Sequence, residues 1–137
     1  MTTAQDVMTT APQCVRHDQT LIEAARMMAT MDVGSLPICG PEGKLIGMLT
    51  DRDIVVRCLA EGDDPKAVTA GELAEGTPAY VNADTDIADV LRLMQEKRIR
   101  RVPVIQDHDL VGIISQGDIS LSVAPSATGE TVAQISQ

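Results

Sequence analysis

The sequence predicts an α/β (α+β) fold in which a β-α-β-β-α unit occurs twice and the two copies pack as a pseudo-two-fold pair. Three observations predict it. The stretch Gly47-Met48-Leu49-Thr50-Asp51-Arg52-Asp53 returns 65 residues on as Gly112-Ile113-Ile114-Ser115-Gln116-Gly117-Asp118. In both, a glycine and two apolar residues lead to a hydroxyl, and a carboxylate follows three residues after it. The surroundings of the stretch recur with it, which marks internal duplication. Each copy, at roughly sixty residues, would leave apolar surface exposed on its own, so the copies are expected to cover one another.

The first copy reads as follows. Asp6 can cap a turn, and Cys14-Val15 is a short extended piece. Leu21-Ile22, Ala24-Ala25, Met27-Met28 and Met31 recur at helical spacing, with Glu23 and Arg26 on the other side, which predicts a helix over Thr20–Met31. Thr20 and Glu23 have the spacing of a capping box. Residues 33–39 read as extended, and Pro37 inside them argues for an edge position or a strand end. Gly40-Pro41-Glu42-Gly43 is a turn by composition. Residues 45–49 are a near-continuous apolar run, the pattern of a buried strand. Thr50 or Asp51 can cap a helix from about Arg52 to Ala60, ended near Gly62. Asp63-Asp64-Pro65 is a loop, and a short turn or helix is expected around Gly71 to Ala74.

The order then repeats. Tyr80-Val81 answers Cys14-Val15. A helix over Asp86–Lys97 carries Ile87, Val90, Leu91, Leu93 and Met94. Residues 101–105 answer 35–39, with Pro103 in the place of Pro37. Asp107-His108-Asp109 makes the turn, residues 110–114 form the second buried strand, and a short helix is expected from Asp118 to Val123. Pro125, Ser126, Thr128 and Gly129 suggest a loose tail. The expected bounds are 7–62 and 70–122 for the two repeats, with 123–137 as the tail.

Composition narrows the function. With no Phe or Trp and one Tyr, the core must be aliphatic, filled out by seven Met. Base-stacking platforms for single-stranded nucleic acid are nearly ruled out. A net charge of −9 disfavours a general polyanion binder, although Lys97-Arg98 and Arg100-Arg101 form a local basic cluster. No apolar run has the length of a membrane span and no signal peptide is recognisable, so a cytoplasmic location is the default. The three cysteines form no CxxC pair and share no metal spacing with His17 or His108, so no metal is expected. There is no Gly-x-Ser-x-Gly, Walker loop or Cys–His pairing, and Asp51 and Asp53 stand too close to act as acid and base. An enzyme is not expected.

The duplicated stretch is the candidate site. A strand ends at the hydroxyl and a helix begins near the carboxylate, a place where ligands gather in α/β layers. Asp53 and Asp118 can each accept hydrogen bonds from the two hydroxyls of a ribose. Thr50 and Ser115 can bond a ribose or phosphate oxygen. Helix capping explains the same four residues equally well. The copies also differ: Arg100-Arg101 stands where the first copy has Gly34-Ser35, and Arg52 stands where the second has Gly117. A guanidinium near a helix start favours phosphate. The alternative is a solvated basic helix end, and because strand residues alternate, at most one of Arg100 and Arg101 faces a site. Cys14 and Cys39 flank the first helix in pieces that can be sheet neighbours. They are candidates for a disulfide, a redox switch or a soft-metal site, or else are inert buried thiols.

Taken together, Val7-Met8-Thr9, Leu36-Pro37-Ile38, Val102-Pro103-Val104 and the two Gly-to-Asp stretches resemble a tandem pair of CBS domains, over about residues 7–122. The resemblance implies a stand-alone regulatory or sensor protein that binds an adenosine-containing ligand (AMP, ATP or another adenosyl compound) in the cleft between repeats. It places Thr50, Asp53, Ser115 and Asp118 at the ribose and phosphate, with Arg100, Arg101, Pro37 and Pro103 in the same binding set. It also implies a homodimer, with no nucleic-acid or membrane partner and an unknown protein target. The alternative expectation is a stress-response protein that senses redox state or metal through Cys14 and Cys39 without binding nucleotide. If one turn alone is occupied, the second is favoured, because it joins Asp118 to the Arg pair.

Overall fold

Two eleven-residue helices anchor the two copies, and each begins at a polar cap. The structure, a computed structural model, describes residues 2–10, 12–75 and 78–120. Helix α2 (Leu21–Met31) starts at Thr20, whose hydroxyl accepts the Glu23 amide at 3.3 Å. Helix α4 (Ile87–Lys97) starts at Asp86, which accepts the Ala88 amide at 3.0 Å. Both end on a left-handed residue, Asp32 at φ 56° and Arg98 at φ 53°, the conformation that closes many helices. The capping box expected at Thr20 forms by half, because the Glu23 carboxylate accepts the Gln19 side chain instead. Leu21, Ala24 and Met28 of α2, and Ile87, Val90 and Met94 of α4, are the buried stripes.

Among the described residues, those from 13 to 78 make one compact unit, and 2–12 with 79–120 make the other. In the first, β2 (Val15–Arg16) lies parallel to β3 (Ser35–Cys39), and β3 lies antiparallel to β4 (Leu45–Thr50). The chain continues into α3 (Asp51–Ile54) and then a π-helical turn, Val55–Leu59, closed by Ala60 N donating to the Val55 carbonyl at 2.8 Å. In the second, β1 (Thr9–Thr10), β7 (Asp109–Ser115), β6 (Arg101–Gln106) and β5 (Val81–Asn82) lie side by side in that order. The chain then enters α5 (Gln116–Ser120). Both sheets bulge at the same place, between Ile38 and Cys39 and between Val104 and Ile105.

The segment ahead of the first copy completes the second unit. Helix α1 (Ala4–Val7) is held by Ala4 N to the Thr85 carbonyl at 2.8 Å and Gln5 N to the Ala83 carbonyl at 2.9 Å, and β1 pairs antiparallel with β7. The segment between the copies does the same for the first unit. Its 3₁₀ turn, Ala70–Leu73, docks through Ala70 N to the Gln19 carbonyl at 2.8 Å and Gly71 N to the His17 carbonyl at 2.9 Å. Thr3 with Asp6, and Thr69 with Glu72, make matching capping boxes. These lead-in segments explain the glycine that heads the duplicated stretch. A Cβ on Gly47 would lie 3.2 Å from Ala74 Cα, and one on Gly112 would lie 2.8 Å from Met8 Cγ. Glycine leaves room for the segment to lie on the strand.

Some expectations change. Pro37 is not on an edge strand: β3 is the middle strand of its sheet, and β6, with Pro103, is internal too. The prolines are tolerated because the short neighbours β2 and β5 begin opposite Ile38 and Val104, one residue beyond each proline. Strand β4 is not buried along its length; Gly47 and Leu49 are buried while Leu45, Ile46 and Met48 are half-exposed. The helix expected from Arg52 starts at Asp51 and turns π-helical. The last helix starts at Gln116 instead of Asp118. Its expected end at Val123, and the tail at 123–137, lie outside the described residues.

Candidate functional site

Each Gly-to-Asp stretch folds into the same turn because the same donors need acceptors. A helix start leaves backbone N–H groups unpaired. At the first turn Thr50 Oγ1 accepts Asp53 N at 3.0 Å, and Asp53 Oδ2 accepts Thr50 N at 2.9 Å. At the second, Ser115 Oγ accepts Asp118 N at 3.2 Å, and Asp118 Oδ2 accepts Ser115 N at 2.9 Å. The next residue then ties the turn to the neighbouring strand: Asp51 N donates to the Gly34 carbonyl at 2.9 Å and Gln116 N to the Arg100 carbonyl at 3.1 Å. The capping role is therefore realised at both turns. All four capping side chains remain half-buried. A carboxylate offers about four acceptor positions, and the strand amide uses one.

The second turn gathers more of the expected residues. Arg101 lies directly opposite Ser115 in the β6–β7 register and is half-buried. Burial pulls its guanidinium below the ordinary arginine pKa, and the Asp118 carboxylate pushes it back up. Arg100 precedes the strand and is exposed. Pro37 and Pro103 lie two residues along their strands from Ser35 and Arg101, buried opposite Met48 and Ile113, away from the turns. Thr9 belongs to this turn and the sequence reading did not include it: its hydroxyl stands 3.5 Å from both oxygens of Asp118. The signal was the offset of the lead-in segments, since Val7-Met8-Thr9 matches Leu73-Ala74-Glu75. Glu75 instead pairs with Arg57 at 3.0 Å, and Arg57 Nη1 donates to the Leu73 carbonyl at 3.0 Å. Gln116, first residue of α5, holds its side-chain nitrogen buried with no hydrogen-bond partner among the described residues.

Cys14 and Cys39 come together beside the parallel pairing of β2 and β3. The Cys39 thiol donates to the Cys14 sulfur, which lowers the Cys14 pKa to about 7, and the same bond pushes Cys39 up. Cys58 is buried, which raises its thiol, and it donates to the Asp63 carbonyl at 3.5 Å. All three cysteines are free thiols. Among the described residues no three of His, Cys, Asp and Glu are grouped to hold a metal, and no helix is long and apolar enough to cross a membrane.

Two β-α-β-β-α modules, each ending its last strand in a hydroxyl–carboxylate turn, define a paired module of the CBS type. The CBS domain model matches residues 4–59 and 70–133, and the chain belongs to this family. It is 51% identical over 120 residues to hypoxic response protein 1 of Mycobacterium tuberculosis, spanning 88% of this chain and 84% of that protein. A crystal structure of hypoxic response protein I with two coordinated zinc ions matches with a TM-score of 0.84 at 49% identity, over 90% of this chain and all of that one. The CBS pair of protein MJ0100, in complex with 5′-methylthioadenosine and S-adenosyl-L-methionine, matches with a TM-score of 0.75 at 28% identity, over 88% of this chain and 94% of that one.

Proposed function

We propose that this chain is a non-catalytic regulatory CBS pair that binds an adenosine-containing ligand at its strand-to-helix turns. The observation that carries the reading is the grouping of Arg101, Ser115 and Asp118 at one turn of a chain with net charge −9. Asp118 accepts the ribose hydroxyls, and Arg101 and Ser115 meet phosphate oxygens. The adenosyl ligands held by the MJ0100 pair support the ligand class. Binding regulates by favouring whichever conformation holds the ligand more tightly. Isothermal titration with AMP, ATP, 5′-methylthioadenosine and S-adenosylmethionine tests it; absence of heat and of any thermal shift with all four removes the reading.

The assembly we propose is a homodimer. Val55, Val56 and Leu59 of the π-helical turn are 55%, 41% and 51% exposed, and a second copy is the occupant that would bury them. Sedimentation showing a monomer at all concentrations would remove this part.

The thiol pair favours a second reading, redox sensing. Cys14, with a pKa of about 7, is the nucleophile and Cys39 its partner. Zinc fits less well, although hypoxic response protein I holds it. Two thiols make half of a tetrahedral set, and the described residues bring no third ligand to them. Mass spectrometry of unreduced, oxidant-treated protein should show the loss of two protons, and an unchanged mass rejects the pairing.

A further inference from the structure

The two turns share one backbone and differ in the charge placed around it. Gly34 and Arg100 are equivalent, since each carbonyl takes the amide that follows the capping hydroxyl. Ser35 and Arg101 are equivalent, lying opposite Thr50 and Ser115. In the second copy both positions are guanidinium-bearing. In the first they carry no charge, and the space is used differently: a Cβ on Gly34 would lie 3.2 Å from Asp51 Oδ2. A carboxylate therefore sits where the second copy begins the Arg100 side chain. The second copy's counterpart of Asp51 is the neutral Gln116, whose buried nitrogen is a donor with no partner among the described residues. A third difference runs the same way, whereas the exposed Arg52, which stands where the second copy has Gly117, runs against it. Thr9 brings a hydroxyl to Asp118, whereas Glu75 in its place is an acid that turns to Arg57.

We infer that the turns select adenosine compounds by charge: the Ser115–Asp118 turn takes those bearing phosphate, and the Thr50–Asp53 turn takes those whose side arm is neutral or cationic. This rests on the adenosyl-ligand reading above and adds the class of compound held at each turn. Asp53 keeps the acceptor a ribose needs. Asp51, one residue past the cap and exposed, sets a like charge against phosphate. At the other turn Arg101, charged at every accessible pH, offers a paired-donor fork to a phosphate, and the Gln116 nitrogen offers a further donor.

Titration of the full chain with AMP, and separately with 5′-methylthioadenosine, tests the inference. The unmodified chain should take up one AMP, and Arg101→Gln should weaken it at least tenfold. Ser35→Arg combined with Asp51→Gln should add a second AMP equivalent. The milder Asp51→Asn, which keeps the size of the side chain, should by itself raise AMP affinity at the first turn several-fold. Circular dichroism melts establish that each variant is folded. Two equal AMP sites in the unmodified chain overturn the charge selection and leave the adenosyl reading standing. So does failure of both Asp51 variants to gain AMP binding. Silence from both compounds overturns the two readings together.

Discussion

Gly112→Ala tests the account of why the duplicated stretch starts with glycine. A methyl group there would overlap Met8 Sδ, and would stand 2.8 Å from Met8 Cγ and 3.0 Å from Met8 Cβ. Carbon atoms rest at about 3.5–4.0 Å, so the lead-in segment must lift by roughly an ångström or Met8 must leave its rotamer. Overpacking of this kind costs about 1–3 kcal/mol. In a chain of 137 residues each kcal/mol lowers Tm by roughly 3–5 °C, so the expected drop is roughly 3–15 °C by circular dichroism. Because the obstacle is a flexible side chain, the methyl should cost less when Met8 is truncated. The Gly112→Ala, Met8→Ala cycle should show a coupling of about 1 kcal/mol. Gly47→Ala meets Ala74 at 3.2 Å, a milder conflict, and should cost less than Gly112→Ala. A Gly112→Ala chain that melts with the unmodified one, or a loss undiminished in the Met8→Ala background, refutes the seating of Met8 on the strand.

Asp53→Ala and Asp118→Ala each remove half of a capping box, and each should lower unliganded stability by about 1 kcal/mol in urea unfolding; a loss at one turn alone would show that the two caps are not equivalent. Arg57→Ala removes a hydrogen bond to the Leu73 carbonyl and an ion pair to the exposed Glu75. The bond is worth about 1 kcal/mol and the ion pair, screened by solvent, little; hydrogen exchange at Glu72 and Ala74 should quicken first. Alkylation of Cys14 by iodoacetamide should rise tenfold per pH unit below its pKa of about 7 and level off above it, because the thiolate is the reacting form. An alkylation midpoint near the ordinary cysteine value of about 8.5 would show that Cys39 does not hydrogen-bond it.

The repeat was legible because each copy spells out the same local decisions. Thr50 and Asp53, like Ser115 and Asp118, announce a cap three residues long, and the apolar spacing of residues 21–31 and 87–97 allows one buried stripe each. What the sequence hid was non-local. Pro37 looked like an edge residue because its ring forbids a ladder bond, yet β2 is so short that the middle strand has a gap for it. Thr9 escaped notice because its partner Asp118 is 109 residues away and no local pattern connects them. The π-helical turn at Val55–Leu59 has no residue signature, as a one-residue change in bonding partner alters no periodicity that five positions can display. Arg101 was separated from Arg100 only by the pairing register, which decides which of two adjacent arginines lies across from the cap.

The placement of the lead-in segments also sets an order of events during synthesis. Everything in the unit built from residues 13–78 is contiguous, so it can close as soon as residue 75 has been made. The other unit needs Thr9–Thr10 against a strand that ends at Ser115. Residues 2–5 can pair with residues 83–87 once those are made, but β1 must wait for β7, and loop closure over that span is slow relative to local pairing. Strand β1 is in effect the last part of that segment to be placed, and the Asp118 turn with its Thr9 contact is finished only when it arrives. A nascent chain halted before residue 109 would thus hold one completed module and an exposed Met8.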